Sequence, residues 1–369
     1  MTKNPIRFIL IAVTLNLLSF GLIAQNCHIT GRVAVPEMQG KKIAVLDMNT
    51  NSALASTVIA DSTFVLDFDV TGPFVGLLKT APQNSNPRSY YYLRMVGEPG
   101  NIYADLVTDS LSGTPLNDRL FDYSKKVRYE VSVISAYYRQ MNESVNMPVD
   151  MRQDLEAKVD DRFSQLLTYM SHKYMENKSN PVGALVMEEF LEYEGADYET
   201  AMEMLIGAAP VVISYQPLQT KLAAMEKVSH TAPGKPYIDL DLTDYKTGKP
   251  VKLGKVIHGK VALIDFWASW CGPCRREIPN LAEIHKKYAG KDFVVVSLNV
   301  WDKPAAQAKA IKDLNMVWTQ LTDATRNATD TYGVDGIPQI LLIGKDGKII
   351  ARDLRGEDIE KAVKKALGR

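Results

Sequence analysis

The chain has 369 residues, 46% hydrophobic and 23% charged, enough for two or three domains with cores of their own. Three cysteines exclude a disulfide-dense scaffold. A balance of 43 basic and 43 acidic residues leaves no basic footprint for nucleic acid.

In chain order, Lys3 and Arg7 come first, ahead of an apolar run from Phe8 to Ala24 that is interrupted by Thr14, Asn16 and Ser19. The pattern predicts a signal peptide over 1–24, cleaved before Gln25, and hence export to the periplasm or cell envelope. Asn26 stands where a small residue should precede a lipidated cysteine, so Cys27 is a poor lipidation site; a lipid anchor and an uncleaved anchor stay open as alternatives. Cys27 itself is expected as a buried strand thiol. Over 25–116 short β-prone runs alternate with turn signals (Ile43 to Asp47, Phe64 to Phe68, Phe74 to Lys79, Tyr90 to Met95), which predicts a small antiparallel β domain. A helical segment is expected over 117–228. In it Asp150 can cap a helix carrying Met151, Leu155, Val159, Phe163, Leu166, Met170 and Tyr174 at helical spacing, and Pro181 and Pro217 open two more. These Met and Tyr stripes read as packing faces rather than a haem box. Residues 229–236 read as a linker to a last domain, 237–369.

That domain holds the other two cysteines, in Trp270-Cys271-Gly272-Pro273-Cys274. Zinc needs four ligands, no second Cys-x-x-Cys exists, and none of the five histidines is close to the pair in sequence, so no metal site is expected, though one assembled by folding stays open. A disulfide spanning two residues removes little unfolded-state entropy, which disfavours a passive staple. Redox chemistry is the leading reading. The apolar run Val261 to Trp267 predicts a buried strand, and Arg275 through Tyr288 carries apolar residues at helical spacing, so the pair sits where strand gives way to helix. The positive end of a helix favours a thiolate. Cys271, expected as the more exposed sulfur, is the predicted nucleophile, Cys274 the resolving thiol, and Arg275 and Arg276 add positive potential. No Pro-x-x-x-Thr-x-x-Cys pattern supports a peroxidase.

Residues 231–369 resemble the thioredoxin superfamily, more closely its exported TlpA-like thiol-disulfide oxidoreductases. The Trp-Cys-Gly-Pro-Cys motif carries most of the likeness. Pro233-Gly234-Lys235-Pro236 and Gly248-Lys249-Pro250-Val251 resemble the group's lead-in hairpin, Pro279 the proline of the active-site helix, and Gly336-Ile337-Pro338 the loop with the family's cis-proline. Val294 to Val300, then Leu341 to Ile343 and Lys348 to Ala351, match later strands, and Glu357 to Leu367 a closing helix. The resemblance implies an α/β thioredoxin-like C-terminal domain, a central mixed sheet flanked by helices. It implies catalytic roles for Cys271, Cys274, Asp265 and Pro338, with Asp265 as the buried acid that moves the proton of Cys274. Trp270, Gly272, Pro273, Ile337 and Pro338 would then contact the client, and Trp267 matches a second active-site tryptophan. One departure is that the lysine partnering the acid aligns with Ser297, which predicts a raised carboxyl pKa. The N-terminal part resembles a domain of unknown function found ahead of such domains, through Glu98-Pro99-Gly100-Asn101 and Ser112 to Asn117.

The expected activity is reduction of client protein disulfides without a cofactor, reset by a membrane electron donor, with cytochrome c maturation as one setting. An envelope client-binding protein with secondary redox activity, or a disulfide isomerase or oxidase, are the alternatives.

Overall fold

The computed structural model describes residues 24–82, 89–144, 147–193, 195–323 and 325–369. The expected signal peptide, apart from Ala24, lies outside the described residues. The described residues divide into two compact units, those up to 196 with 201–219, and residues 197–200 with 220–369.

The first unit opens with eight strands: β1 (Gln25–Arg32), β2 (Lys42–Asp47), β3 (Ser52–Val58), β4 (Thr63–Val70), β5 (Phe74–Thr80), β6 (Tyr92–Gly97), β7 (Gly100–Asp105) and β8 (Ser110–Ser112). They form two four-stranded sheets, ordered β4-β1-β7-β8 and β3-β2-β5-β6. The second sheet is antiparallel throughout, as the alternating runs predict. In the first, β1 pairs antiparallel with β4 but parallel with β7. Cys27 and Ile29 alternate inward on β1, and Cys27 is fully buried. Gly31 follows on the same face, where a Cβ would collide with the Phe64 ring at 2.0 Å.

Helices α1 (Pro115–Glu143), α2 (Val149–Asn177), α3 (Pro181–Glu192), α4 (Tyr198–Met204), α5 (Pro210–Ile213) and α6 (Gln216–Ser229) follow in the chain, with residues 198–200 of α4 and 220–229 of α6 belonging to the second unit. The two motifs 98–101 and 112–117 meet at the start of α1. There the Glu98 carboxylate accepts the N–H groups of Leu116 (2.8 Å) and Asn117 (3.2 Å), and the buried Asn117 amide exchanges two hydrogen bonds with the Val96 backbone. A carboxylate at a helix N-terminus satisfies donors that the helix itself cannot. Pro148 rather than Asp150 occupies the N-cap position of α2, without a side-chain cap bond, and Asp150 falls in the first turn, where its negative charge interacts favourably with the helix dipole. Leu155, Val159, Leu166, Met170 and Tyr174 form the buried stripe, while Met151 is exposed. Asn180 caps α3, its side chain accepting from Val182 N at 3.0 Å.

The second unit is built on a seven-stranded mixed sheet ordered β10-β9-β13-β12-β11-β14-β15. Its strands are β9 (Asp241–Asp244), β10 (Pro250–Lys252), β11 (Val261–Trp267), β12 (Phe293–Asn299), β13 (Thr319–Thr322), β14 (Gln339–Ile343) and β15 (Ile349–Ala351). Helices α7 (Leu253–Ile257), α8 (Gly272–Tyr288), α9 (Pro304–Asp313), α10 (Asn327–Tyr332) and α11 (Glu357–Ala366) complete it. Every residue of β11 is buried, because β11 lies between parallel β12 and antiparallel β14 and both its faces are covered. Leu263 and Trp267 pack in one core cluster with Ile278, Leu281 and Ile284 of α8, whereas Ala262, Ile264 and Phe266 pack in another with Leu240 and Tyr332. Strand alternation therefore puts Asp265 on the α8 side of the sheet.

Candidate active site

Cys271 is the N-cap of α8, with extended backbone (φ −77°, ψ 102°), and Pro273 sits in the first turn, where its missing N–H costs nothing. The Cys274 N–H donates to Cys271 Sγ at 3.1 Å, so a sulfur fills the place usually taken by a Ser or Asp cap. Cys271 and Cys274 form a disulfide. The expected contrast in their exposure is slight, at 3% and 1%, so access to either sulfur is controlled by the surrounding loops. Gly272 and Pro273 are exposed, and Trp270 presents a largely exposed ring. Pro279 lies inside α8 as expected, where it has no N–H for the Arg275 carbonyl.

The loop before β14 closes the other side. The Ile337–Pro338 peptide is cis, and the Ile337 carbonyl lies 3.6 Å from Cys271 Sγ. Arg355 donates to the Pro338 carbonyl. A cavity of about 400 Å³ adjoins this loop, lined by Ile337, Pro338, Gln339, Arg352, Asp353 and Arg355, among others.

Asp265 is buried, and burial pushes its pKa up to about 7; the Ser297 hydroxyl bond lowers it, Glu277 raises it and Arg355 lowers it, all to a smaller extent. Ser297 lies opposite Asp265 across β11 and β12, and its hydroxyl donates to Asp265 Oδ2 at 2.9 Å.

Several residues that sequence reasoning passed over support the site. Asp302 accepts from Ser269 N (2.6 Å), Ser269 Oγ (2.9 Å) and Asn299 Nδ2 (3.0 Å), pinning the loop that carries Trp270; although burial opposes it, these bonds hold the Asp302 carboxyl below its usual range. The Trp270 indole donates to the Trp301 carbonyl at 3.0 Å. Glu277 accepts from Gly356 N, which ties α8 to the turn before α11. The signal for Asp302 was its place just past the end of β12, level with the end of β11, but only the parallel pairing of those strands turns that into proximity. Among the described residues no cluster of three or more His, Cys, Asp or Glu is placed to hold a metal ion.

The Redoxin family matches residues 227–367. The thiol-disulfide oxidoreductase ResA of Bacillus thuringiensis subsp. konkukian is 30% identical over 164 residues, covering 44% of this chain and 89% of the relative. This chain belongs to the TlpA-like thiol-disulfide oxidoreductases of the thioredoxin superfamily. The ResA of Bacillus cereus (strain ATCC 10987 / NRS 248) is 29% identical over 44% of this chain and 90% of its own length. Among solved structures, the thioredoxin domain of a thiol-disulfide oxidoreductase from Bacteroides vulgatus is 31% identical, with 36% of this chain and 96% of that one covered and a TM-score of 0.34. A thiol:disulfide interchange protein from Bacteroides sp. is 29% identical over 37% of this chain and 91% of that one, with a TM-score of 0.35. The oxidoreductase is thus an enzyme whose family assignment rests on its C-terminal part.

Proposed function

We propose that the enzyme is an exported reductase of client protein disulfides that works through Cys271 and Cys274. The observation that carries the reading is the pair itself, a disulfide at the first turn of α8 with a backbone N–H aimed at Cys271 Sγ and a peptide carbonyl beside it. In the reduced enzyme the same N–H and the helix dipole favour the Cys271 thiolate by about 0.3–2 kcal/mol.

The Cys271 thiolate attacks one client sulfur, forming a mixed disulfide and releasing the other client sulfur as a thiolate. Cys274 then passes its proton to Asp265 and attacks Cys271 Sγ, expelling the second client thiolate and leaving the Cys271–Cys274 disulfide. Two electrons move from enzyme to client, and both client thiolates are protonated. The exposed face of Trp270, Gly272 and Pro273 and the Ile337 carbonyl next to cis Pro338 offer an edge to an extended client segment. A membrane dithiol donor would restore the reduced pair.

Reduction of insulin disulfides tests the reading. Cys271→Ser should abolish turnover and Cys27→Ser should leave it intact, while Cys274→Ser should accumulate mixed disulfides on Cys271. Unimpaired turnover by Cys271→Ser would sink the assignment.

A further inference from the structure

The acid at the centre of the site faces a serine, where the resemblance to thioredoxin implies a lysine, yet its carboxylate is not left bare. The Trp318 indole Nε1 donates to Ser297 Oγ at 2.9 Å, and Ser297 Oγ donates to Asp265 Oδ2 at 2.9 Å. All three residues are buried, with 3% or less of their surface exposed. The direction of this chain is fixed by chemistry. An indole nitrogen only donates, so the serine oxygen must accept from it, and its single proton is then left for the carboxylate. Register enforces the alignment: Ser297 lies opposite Asp265 across β11 and β12, and Trp318 immediately precedes β13, the other neighbour of β12.

We propose that Trp318 and Ser297 act as positioning residues, a one-way donor chain that keeps Asp265 Oδ2 a permanent acceptor and makes Oδ1 the oxygen that takes and releases the proton. The chain does part of the work of the absent cation, favouring the charged carboxylate without placing a second charge in the core. Other groups act on the same carboxyl from the elements around it. Glu277 belongs to α8, Arg355 to the turn before α11, and β14 sets apolar Ile340 opposite Asp265. His285 of α8 packs its ring 5.8 Å from that of Trp318, and burial pushes its pKa down. None of these reaches Oδ2 with a hydrogen bond among the described residues; the only one recorded there comes from Ser297.

The catalytic consequence rests on the proposed role of Asp265 as acceptor of the Cys274 proton, but the donor chain is testable without it. In the oxidised full-length enzyme neither active-site thiol titrates, so the Asp265 carboxyl is read alone by carbon NMR of aspartate-labelled protein, its signal assigned by its loss in Asp265→Asn. Removing a hydrogen bond to a charged group should raise the titration midpoint, by about one pH unit in Ser297→Ala. Trp318→Phe, which keeps a ring but removes the donor, should raise it by less, and Ser297→Thr, which keeps the hydroxyl, should restore it. A midpoint unmoved in Ser297→Ala, or unmoved in a folded Trp318→Phe, overturns the chain, as does failure of Ser297→Thr to rescue. The pH profile for release of mixed disulfides should move with the titration. If the carboxyl titration moves as stated and the rate profile does not, the donor chain stands and the relay role of Asp265 falls.

Discussion

Replacing Asp265 with Asn should make the second unit less sensitive to alkaline pH. In the folded enzyme burial lifts the Asp265 pKa from an ordinary 3.8 to about 7, whereas in the unfolded chain it returns to the ordinary value. A carboxyl whose folded pKa is raised lends its full stability below the unfolded pKa and loses it as pH rises through the folded one, because a charge is then held in a dry core. A rise of about 3 pH units at 1.36 kcal/mol each amounts to about 4 kcal/mol in all. Of this about 3 kcal/mol falls between pH 5 and 8.5, above the titration of ordinary carboxylates. That is a large share of the 5–15 kcal/mol that holds a typical domain together. All four tryptophans, Trp267, Trp270, Trp301 and Trp318, lie in the second unit, so indole fluorescence follows its unfolding alone. With a urea slope near 2 kcal/mol/M, the wild-type midpoint should fall by about 1.5 M across that range relative to Asp265→Asn. His285 works in the opposite direction, since its folded pKa is lowered, but both proteins contain it and the comparison removes it. Parallel pH dependence in the two proteins would refute a buried ionising carboxyl at 265.

Asp302→Ala should free the Ser269 N–H and hydroxyl, costing about 1–3 kcal/mol in the tryptophan-monitored transition and slowing insulin reduction, because the loop carrying Trp270 loses its anchor. Asn180→Ala should remove about 1 kcal/mol from the first unit through loss of the α3 cap, visible in circular dichroism and silent in tryptophan fluorescence. The oxidised native enzyme should release no colour from a thiol reagent at pH 8, since Cys27 is buried and its pKa is pushed up to about 11; one equivalent before unfolding would contradict its placement. Equilibrium with glutathione should give a potential near the roughly −270 mV of reducing thioredoxins, as the Gly272-Pro273 pair suggests; a value well above about −180 mV would point to an isomerase or oxidase.

The amino-acid sequence by itself determined the local and the covalent. The continuous apolar run of β11, the helical stripe of α8 and the Cys-x-x-Cys pair between them fixed where strand becomes helix and where reactive sulfur sits, because each depends on neighbours a few residues apart. The positions of Pro338 and Ser297 were legible only through resemblance, since nothing in their immediate surroundings marks them. Tertiary structure decided what depends on pairing between distant segments. The parallel join of β1 to β7 brings together strands nearly seventy residues apart in sequence, and no hydrophobic period encodes a partner's direction. Glu98 became a cap for α1 only once β6 had delivered it to Leu116. The register of β11 and β12 set Ser297 opposite Asp265, and the chain running into β13 brought Trp318 to Ser297, so that residues 265, 297 and 318 share one buried line of hydrogen bonds. A charged group buried among apolar neighbours must find its partners wherever the fold brings them, and for that reason its environment is a property of the sheet rather than of the surrounding sequence.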